Sequence, residues 1–253
     1  MRGFVRDRAG IHLTDAKWDL VYGRVSRRVR ALDLNSFSAY LDRVRSGDST
    51  ETEHLLNAIT TNVTAFFREQ HHFEHLQAVV SAGVVRDRPM KIWSSACSTG
   101  EEPYSIAMTL LDSSQSDFMI LATDLDTRVL EVAALGVYDA SKVDAVGPEL
   151  TRRYFRRGRA EHEGKLKVKP ELQDRIRFKQ VNLMADWPIK GPLDVIFCRN
   201  VLIYFEKKDQ IRLFRSFADV LRPGGFLYLG HSESVSGEPR LHAVARTTYE
   251  RIS

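Results

Sequence analysis

The chain has 253 residues, 43% of them hydrophobic, with 37 Lys and Arg against 33 Asp and Glu for a formal net charge of +4. That is enough apolar material for a full core and a minor unit, and the mild basic balance is far from that of a nucleic-acid tail. No apolar run approaches the roughly 18 residues of a membrane span, the Arg-rich start has no signal-peptide core, and no Cys/His spacing suits zinc, so a cytoplasmic protein without a metal site is expected.

The amino-terminal third, residues 1–80, reads as a helical domain. Thr14 to Arg30 opens on a capping threonine and sets Trp18, Val21, Val25 and Val29 near one face. The opposite face carries Arg24, Arg27, Arg28 and Arg30, joined by Arg43 and Arg45 on the next helix; they outnumber the local acids and invite an acidic partner, with a solvated charged face as the plain alternative.

Residues 81–253 change character. Lys91 to Leu111 reads as a buried strand, a loop of small residues ending at Gly100, and a helix on which Ile106, Ala107, Leu110 and Leu111 recur at helical spacing. Such a unit opens a nucleotide-binding α/β fold. Glu101 and Glu102 stand where the helix's unpaired N–H groups begin, which disfavours a phosphate and favours a cationic or hydroxyl-rich ligand. The loop also lacks both G-x-G-x-x-G and the P-loop pattern.

Phe118 to Ala122 is a second buried strand, and it runs into Thr123-Asp124-Leu125-Asp126. An acid at the end of the second strand is placed to accept from the two hydroxyls of a ribose, which selects Asp124, while Asp126 suits the cap of a helix over Thr127 to Leu135. Between residues 148 and 180 there is more chain than a crossover needs. It holds Arg152, Arg153, Arg156, Arg157 and Arg159, then the alternating run Lys165 to Lys169, which predicts a small antiparallel β insert. Three further apolar runs, Arg175 to Val181, Leu193 to Cys198 and Gly225 to Gly230, extend the sheet, with Gln210 to Leu221 as a crossover helix. Leu241 to Ala245 and Thr248 to Ile252 fit a closing hairpin. An otherwise parallel sheet ending in such a hairpin is typical of class I methyltransferases.

Four blocks then stand in order: Thr61-Asn62-Val63-Thr64-Ala65-Phe66-Phe67-Arg68-Glu69, Ser98-Thr99-Gly100-Glu101-Glu102-Pro103-Tyr104-Ser105, Thr123-Asp124-Leu125-Asp126, and Phe197-Cys198-Arg199-Asn200-Val201-Leu202-Ile203-Tyr204-Phe205, with Gly230-His231-Ser232-Glu233 as a fifth. In these the chain resembles the CheR family of S-adenosylmethionine-dependent chemotaxis receptor methyltransferases. The resemblance implies a Rossmann-like class I fold: a mostly parallel seven-stranded sheet, an N-terminal all-α domain and a small antiparallel β insert. It also implies methyl transfer from S-adenosylmethionine to glutamate side chains of chemoreceptors, leaving S-adenosylhomocysteine and a glutamate methyl ester. A glutamate carboxylate has a reference pKa of about 4.3, so it is already ionised near neutral pH and needs no general base. Nitrogen methylation is disfavoured, because Arg199-Asn200-Val201 stands where N-P-P-Y would be expected.

The same resemblance assigns the site. Asn62 and Thr64 belong to a stretch that covers the cofactor, and Arg68 meets the cofactor's methionine carboxylate in two-point fashion, the plain alternative being a surface ion pair with Glu69. Gly100 lies in the cofactor loop, and Glu101 or Glu102 takes the amino group, with Glu102 facing inward beside Ile106. Asp124 holds the ribose; Asn182 and Leu183 flank the adenine. Arg199 and Asn200 leave the fourth strand at its ligand-facing end. Tyr204 lines the transfer channel or meets the incoming carboxylate, so Arg68 and Tyr204 are the catalytic candidates, although a packed aromatic is the alternative for Tyr204. Cys97 and Cys198 read as small packing residues in a reducing compartment. The implied partner is the cytoplasmic domain of a chemoreceptor, met through Arg24, Arg27 and Arg28, with a receptor C-terminal peptide at the β insert. Nucleic acid, direct membrane insertion and self-association are not expected. A methyltransferase acting on another protein or nucleic acid, and a non-catalytic cofactor-sensing module, are the competing readings.

Overall fold

The computed structural model describes residues 1–13, 15, 18–83 and 88–253; the expected helix cap at Thr14 lies outside them. The amino-terminal helices are α1 (Arg2–Ala9), α2 (Trp18–Ala31), α3 (Phe37–Arg45) and α4 (Ser49–Ile59). Ser36 and Asp48 cap α3 and α4, accepting from the amides of Ala39 and Glu51. Val21, Val25 and Val29 of α2 are buried, as their spacing predicts. They join Val5, Tyr40, Val44 and Leu55 in a core that continues into the sheet through Trp93, Ile196 and Leu227.

Two arginines of the basic face of α2 are engaged within the protein. Arg28 pairs with the buried carboxylate of Glu51, with Nε to Oε2 at 2.8 Å. Arg24 turns its guanidinium to the carbonyls of Ala58 and Thr60, at 3.0 and 2.6 Å. Two of the three arginines expected to face a partner thus serve α4, whose packing along α2 offers them a buried acid and unpaired carbonyls. Arg27 and Arg30 are exposed.

After α5 (His71–Ser81) the α/β unit proceeds as β1 (Met90–Ser94), α6 (Glu101–Asp112), β2 (Phe118–Asp124), α7 (Thr127–Leu135), β3 (Val137–Asp139), α8 (Ala140–Val143), α9 (Pro148–Tyr154), β4 (Phe155–Arg157), β5 (Lys165–Val168), α10 (Pro170–Gln173), β6 (Ile176–Gln180), β7 (Leu193–Cys198), α11 (Lys207–Val220), β8 (Leu221–Leu229), β9 (Leu241–Ala245) and β10 (Thr248–Arg251). Seven strands pair in the order β6-β2-β1-β7-β8-β10-β9. The first five run parallel, and the β9–β10 hairpin closes the edge antiparallel. This is the class I methyltransferase arrangement expected.

Side-chain alternation along the strands divides the core. Ile92, Val195, Phe197, Phe226 and Tyr228 face a cluster with Phe73 and Leu76 of α5 and Ile106 and Leu110 of α6. Trp93, Ile196, Cys198, Leu227 and Leu229 face α11 and the amino-terminal helices. Both cysteines are buried and unbridged.

The β insert differs from its expected limits. Its three strands pair as β3-β5-β4, and β3 starts at Val137, ahead of residue 148. The three residues of β3 alternate exposed, buried, exposed, too short a run to read as a strand from the sequence, whereas the longer β5 alternates as the Lys165 to Lys169 run predicts. Likewise β8 begins at Leu221, before the Pro-Gly-Gly turn, and an irregularity in its pairing with β7 absorbs those glycines.

Candidate active site

A cavity opens at the carboxyl ends of the central parallel strands, where ligands of open α/β sheets collect. Asp124 stands at the end of β2 and lines it. One carboxylate oxygen accepts the Ser98 amide at 2.9 Å and the other the Asp126 amide at 3.0 Å. The carboxylate is therefore fixed, with lone pairs left for hydroxyl donors. Burial pushes its pKa up, and the two amides work against that rise. Asp126 does different work. It caps α7 through the Arg128 amide and accepts from the side chains of Thr60, Asn62 and Arg128.

The stretch from Thr60 to Arg68 passes over the cavity as an irregular strap. Thr60, Asn62, Thr64 and Arg68 all line it. The Asn62 amide is spent on Asp126 and Thr60, and its carbonyl accepts from Ser98 Oγ at 3.1 Å, so this residue binds the strap down. Arg68 donates to the Val63 carbonyl at 2.8 Å and forms no ion pair among the described residues, leaving the rest of its fork for an anion.

Arg199 leaves β7 into the cavity wall and bridges two carboxylates, Glu102 at 3.1 Å and Glu69 at 3.4 Å, while also donating to the Arg68 carbonyl. Glu102 accepts from Ser94 Oγ at 2.7 Å with its other oxygen. Burial raises the Glu102 pKa, against the pull of Arg199. For Glu69 the same burial is outweighed by Arg199, His231 and Asn200, and its pKa falls to about 2. Glu102 lines the cavity and Glu101 does not: successive helical positions point about 100° apart, and Glu101 meets Thr99 Oγ1 at 2.6 Å and Lys142 at 3.4 Å instead.

Gly100 is also turned away from the cavity. At φ 96° it lies so close to α7 that a Cβ would stand 2.8 Å from both Ala133 Cβ and the Tyr138 hydroxyl, so its smallness serves helix packing. Asn182 and Leu183 do line the cavity, with Leu125 and Val181 beside them as an apolar wall. The Asn182 amide, however, donates to the Arg8 carbonyl and accepts from the Met184 amide, so it holds α1 in place. Ala9 and Ile11 of that region complete the cover, a contribution that sequence reasoning misses because residues 1–13 read only as an Arg-rich start.

Asn200, Val201 and Tyr204 close the remaining side. Their turn is organised by Glu233, a role that the Gly230-His231-Ser232-Glu233 motif does not reveal by itself. One oxygen accepts from the Gly230 and Asn200 amides at 2.7 and 2.9 Å, the other from Leu202 and Ile203 at 2.8 and 3.4 Å. Nearby, Glu69, His71 and His72 gather with ligand atoms within 4.8 Å, a partner for the histidine pair that the sequence does not suggest. The Arg199 guanidinium already neutralises that carboxylate. Burial, with Arg199 and His71, lowers the His72 pKa to about 3, so His72 is a neutral buried imidazole.

The donor set fits S-adenosylmethionine: a fixed carboxylate for ribose hydroxyls, an arginine fork for a carboxylate, a buried acid for an ammonium, and an apolar wall for a flat base. Comparison with known proteins agrees. Residues 62–250 match the family model described as CheR methyltransferase, SAM binding domain, and residues 1–60 match its all-alpha domain. Chemotaxis protein methyltransferase 2 of Pseudomonas aeruginosa is 46% identical over 248 residues, covering 95% of this chain and 87% of that protein. The chemotaxis protein methyltransferases of Salmonella typhimurium and Escherichia coli are each 43% identical, covering 98% and 97% of this chain and 87% of each relative. Fold, site and relatives converge: the chain belongs to the CheR methyltransferase family and is an S-adenosylmethionine-dependent methyltransferase.

Proposed function

We propose that this enzyme methylates glutamate side chains on the cytoplasmic signalling domain of chemoreceptors, giving γ-methyl esters. The observation that carries this reading is the set of relatives named chemotaxis protein methyltransferases, which align over nearly the whole chain, the cavity-lining strap included. Bound S-adenosylmethionine supplies the electrophilic methyl group. The protein's task is then to orient and partly desolvate a carboxylate that is already ionised. Arg68 and Tyr204, both on the cavity wall, are assigned to that end of the site: Arg68 anchors the cofactor's carboxylate and Tyr204 meets the acceptor. Asp124 takes the ribose, Glu102 the amino group, and Leu183 the adenine face. Asn62, Asn182 and Asn200 set the shape of the cavity.

Arg27, exposed on α2, is the basic contact proposed for the receptor. At the insert, β4 is an edge strand, open to an extended receptor peptide by strand addition. The packing of α5 against α6 supports dividing the two units near residue 60 instead of 80. No helix among the described residues is long and apolar enough to cross a membrane, so the receptor would bring the membrane to the enzyme.

The test is transfer of labelled methyl from S-adenosylmethionine to receptor-containing membranes, followed by mild alkali. Base-labile label on receptor glutamates is the expected result; alkali-stable label would mean N-methylation and a different acceptor.

A further inference from the structure

Arg24 belongs by sequence to the exposed basic stripe of α2, yet its guanidinium points inward, to the Ala58 and Thr60 carbonyls at the end of α4. The last carbonyls of a helix have no intrahelical partner and sit at its negative pole, so a cation there is favourable. Arg128 of α7 meets the same end from the other side, donating to the Asn57 carbonyl while paired with Asp126. Two arginines from different elements therefore hold the point at which the strap leaves α4.

The chain beyond that point is cofactor machinery. Thr60 Oγ1 and Asn62 Nδ2 both donate to Asp126 Oδ2, at 2.7 and 2.9 Å. The Asn62 carbonyl accepts from Ser98 Oγ, and the Ser98 amide fixes Asp124. Thr60, Thr61, Asn62 and Val63 line the cavity, whereas Arg24 does not.

We propose that Arg24 is a positioning residue for the cofactor. By spanning the Ala58 and Thr60 carbonyls it sets the exit of α4, so that Thr60 and Asn62 reach Asp126 and the strap lies over the cavity. It acts through the strap, without touching the cofactor, and the receptor-facing helix and the cofactor cover are thereby one mechanical unit.

The experiment is calorimetric binding of S-adenosylhomocysteine to the full chain, which needs no receptor. Arg24→Gln is expected to weaken binding about fivefold to twentyfold, the strap passing on to the cofactor only part of the one or two charge-assisted hydrogen bonds lost, with Arg24→Lys restoring part of it. Thr60→Val removes the next link, and the double variant Arg24→Gln/Thr60→Val should bind no more than about twofold worse than the weaker single, as groups acting in series do. Arg30→Gln, at an exposed position of the same helix, should bind as the unsubstituted chain does. Unchanged affinity in Arg24→Gln, or fully multiplicative effects in the double variant, would overturn the proposal. If Arg24→Gln loses its native circular dichroism, Arg24→Lys carries the comparison alone: a loss of about twofold to fivefold supports the role and none overturns it.

Discussion

Asp124 and Asp126 are two carboxylates two positions apart that their neighbours put to different uses. Asp124 has one backbone amide on each oxygen and a place on the cavity wall; Asp126 is saturated by a helix cap and three side chains. Asp124→Ala is therefore expected to weaken cofactor binding at least about tenfold, since hydrogen bonds to a charged group contribute roughly 1.5–3 kcal/mol each. Calorimetry reads this directly, and an unchanged Kd would remove the ribose assignment. His72 gives a pH prediction. Its folded pKa of about 3 lies below the unfolded 6.5, because burial and Arg199 disfavour the imidazolium. Between those values the unfolded chain binds a proton that the folded chain does not. Stability is thus lost as pH falls from 6.5 toward 3, at up to about 1.4 kcal/mol per pH unit for this one group. Denaturant titrations from pH 7 to 4 should show a shallower acid slope for His72→Gln, and an identical slope would mean that the imidazole is protonated in the folded protein.

Among elements, the turns around the cavity carry the strain. Phe67, Glu69, Ser98 and Asn200 all adopt positive φ, between 49° and 58°, without being glycine. Such backbone persists only where surrounding bonds over-determine it. Glu233 is that determinant for the turn after β7, with four amides on one carboxylate. Glu233→Ala leaves the buried donors of Gly230 and Leu202 unmatched, beside the more accessible ones of Asn200 and Ile203, and chemical denaturation should show a loss of about 2 kcal/mol or more, each unsatisfied group costing roughly 1–3 kcal/mol. A loss under 1 kcal/mol would show that water replaces the carboxylate. Helical spacing made α2 and α6 legible in advance, and continuous apolar runs did the same for β1, β2 and β7. The strand β3 was not legible, because three residues carry no period.

At the scale of the whole molecule, the amino-terminal helices have no separate core: they share theirs with one face of the sheet, and the strap joins the two units across the cavity. Because α2 spends Arg24 and Arg28 on α4, its outer charge rests on Arg27 and Arg30. Arg27→Glu should lower receptor methylation several-fold at low salt, with the gap narrowing as salt screens both chains over a Debye length of about 10 Å at 0.1 M, while cofactor affinity stays unchanged. Equal methylation by both chains at low salt would return that face to the solvent. Arg28→Glu is expected to act differently, unfolding the chain more readily by placing two carboxylates together at Glu51.

The sequence by itself determined the larger elements and the parallel sheet with its closing hairpin, because periodicity and turn chemistry are local properties of the chain, and its spaced motifs, through the family they resemble, named the candidate residues of the site. Tertiary structure alone decided how neighbours are used. It set Glu102 on the cavity and Glu101 against Lys142, gave Gly100 to helix packing, and tied Asn182 to α1. It also turned Arg24 from an expected surface charge into a brace for α4. For the glutamates, Asn182 and Arg24 the physical reason is shared: a side chain's partner is the nearest unsatisfied charge or hydrogen-bonding group, and in a folded chain that group usually comes from a distant part of the sequence; for Gly100 it is steric, since α7 leaves no room for a Cβ.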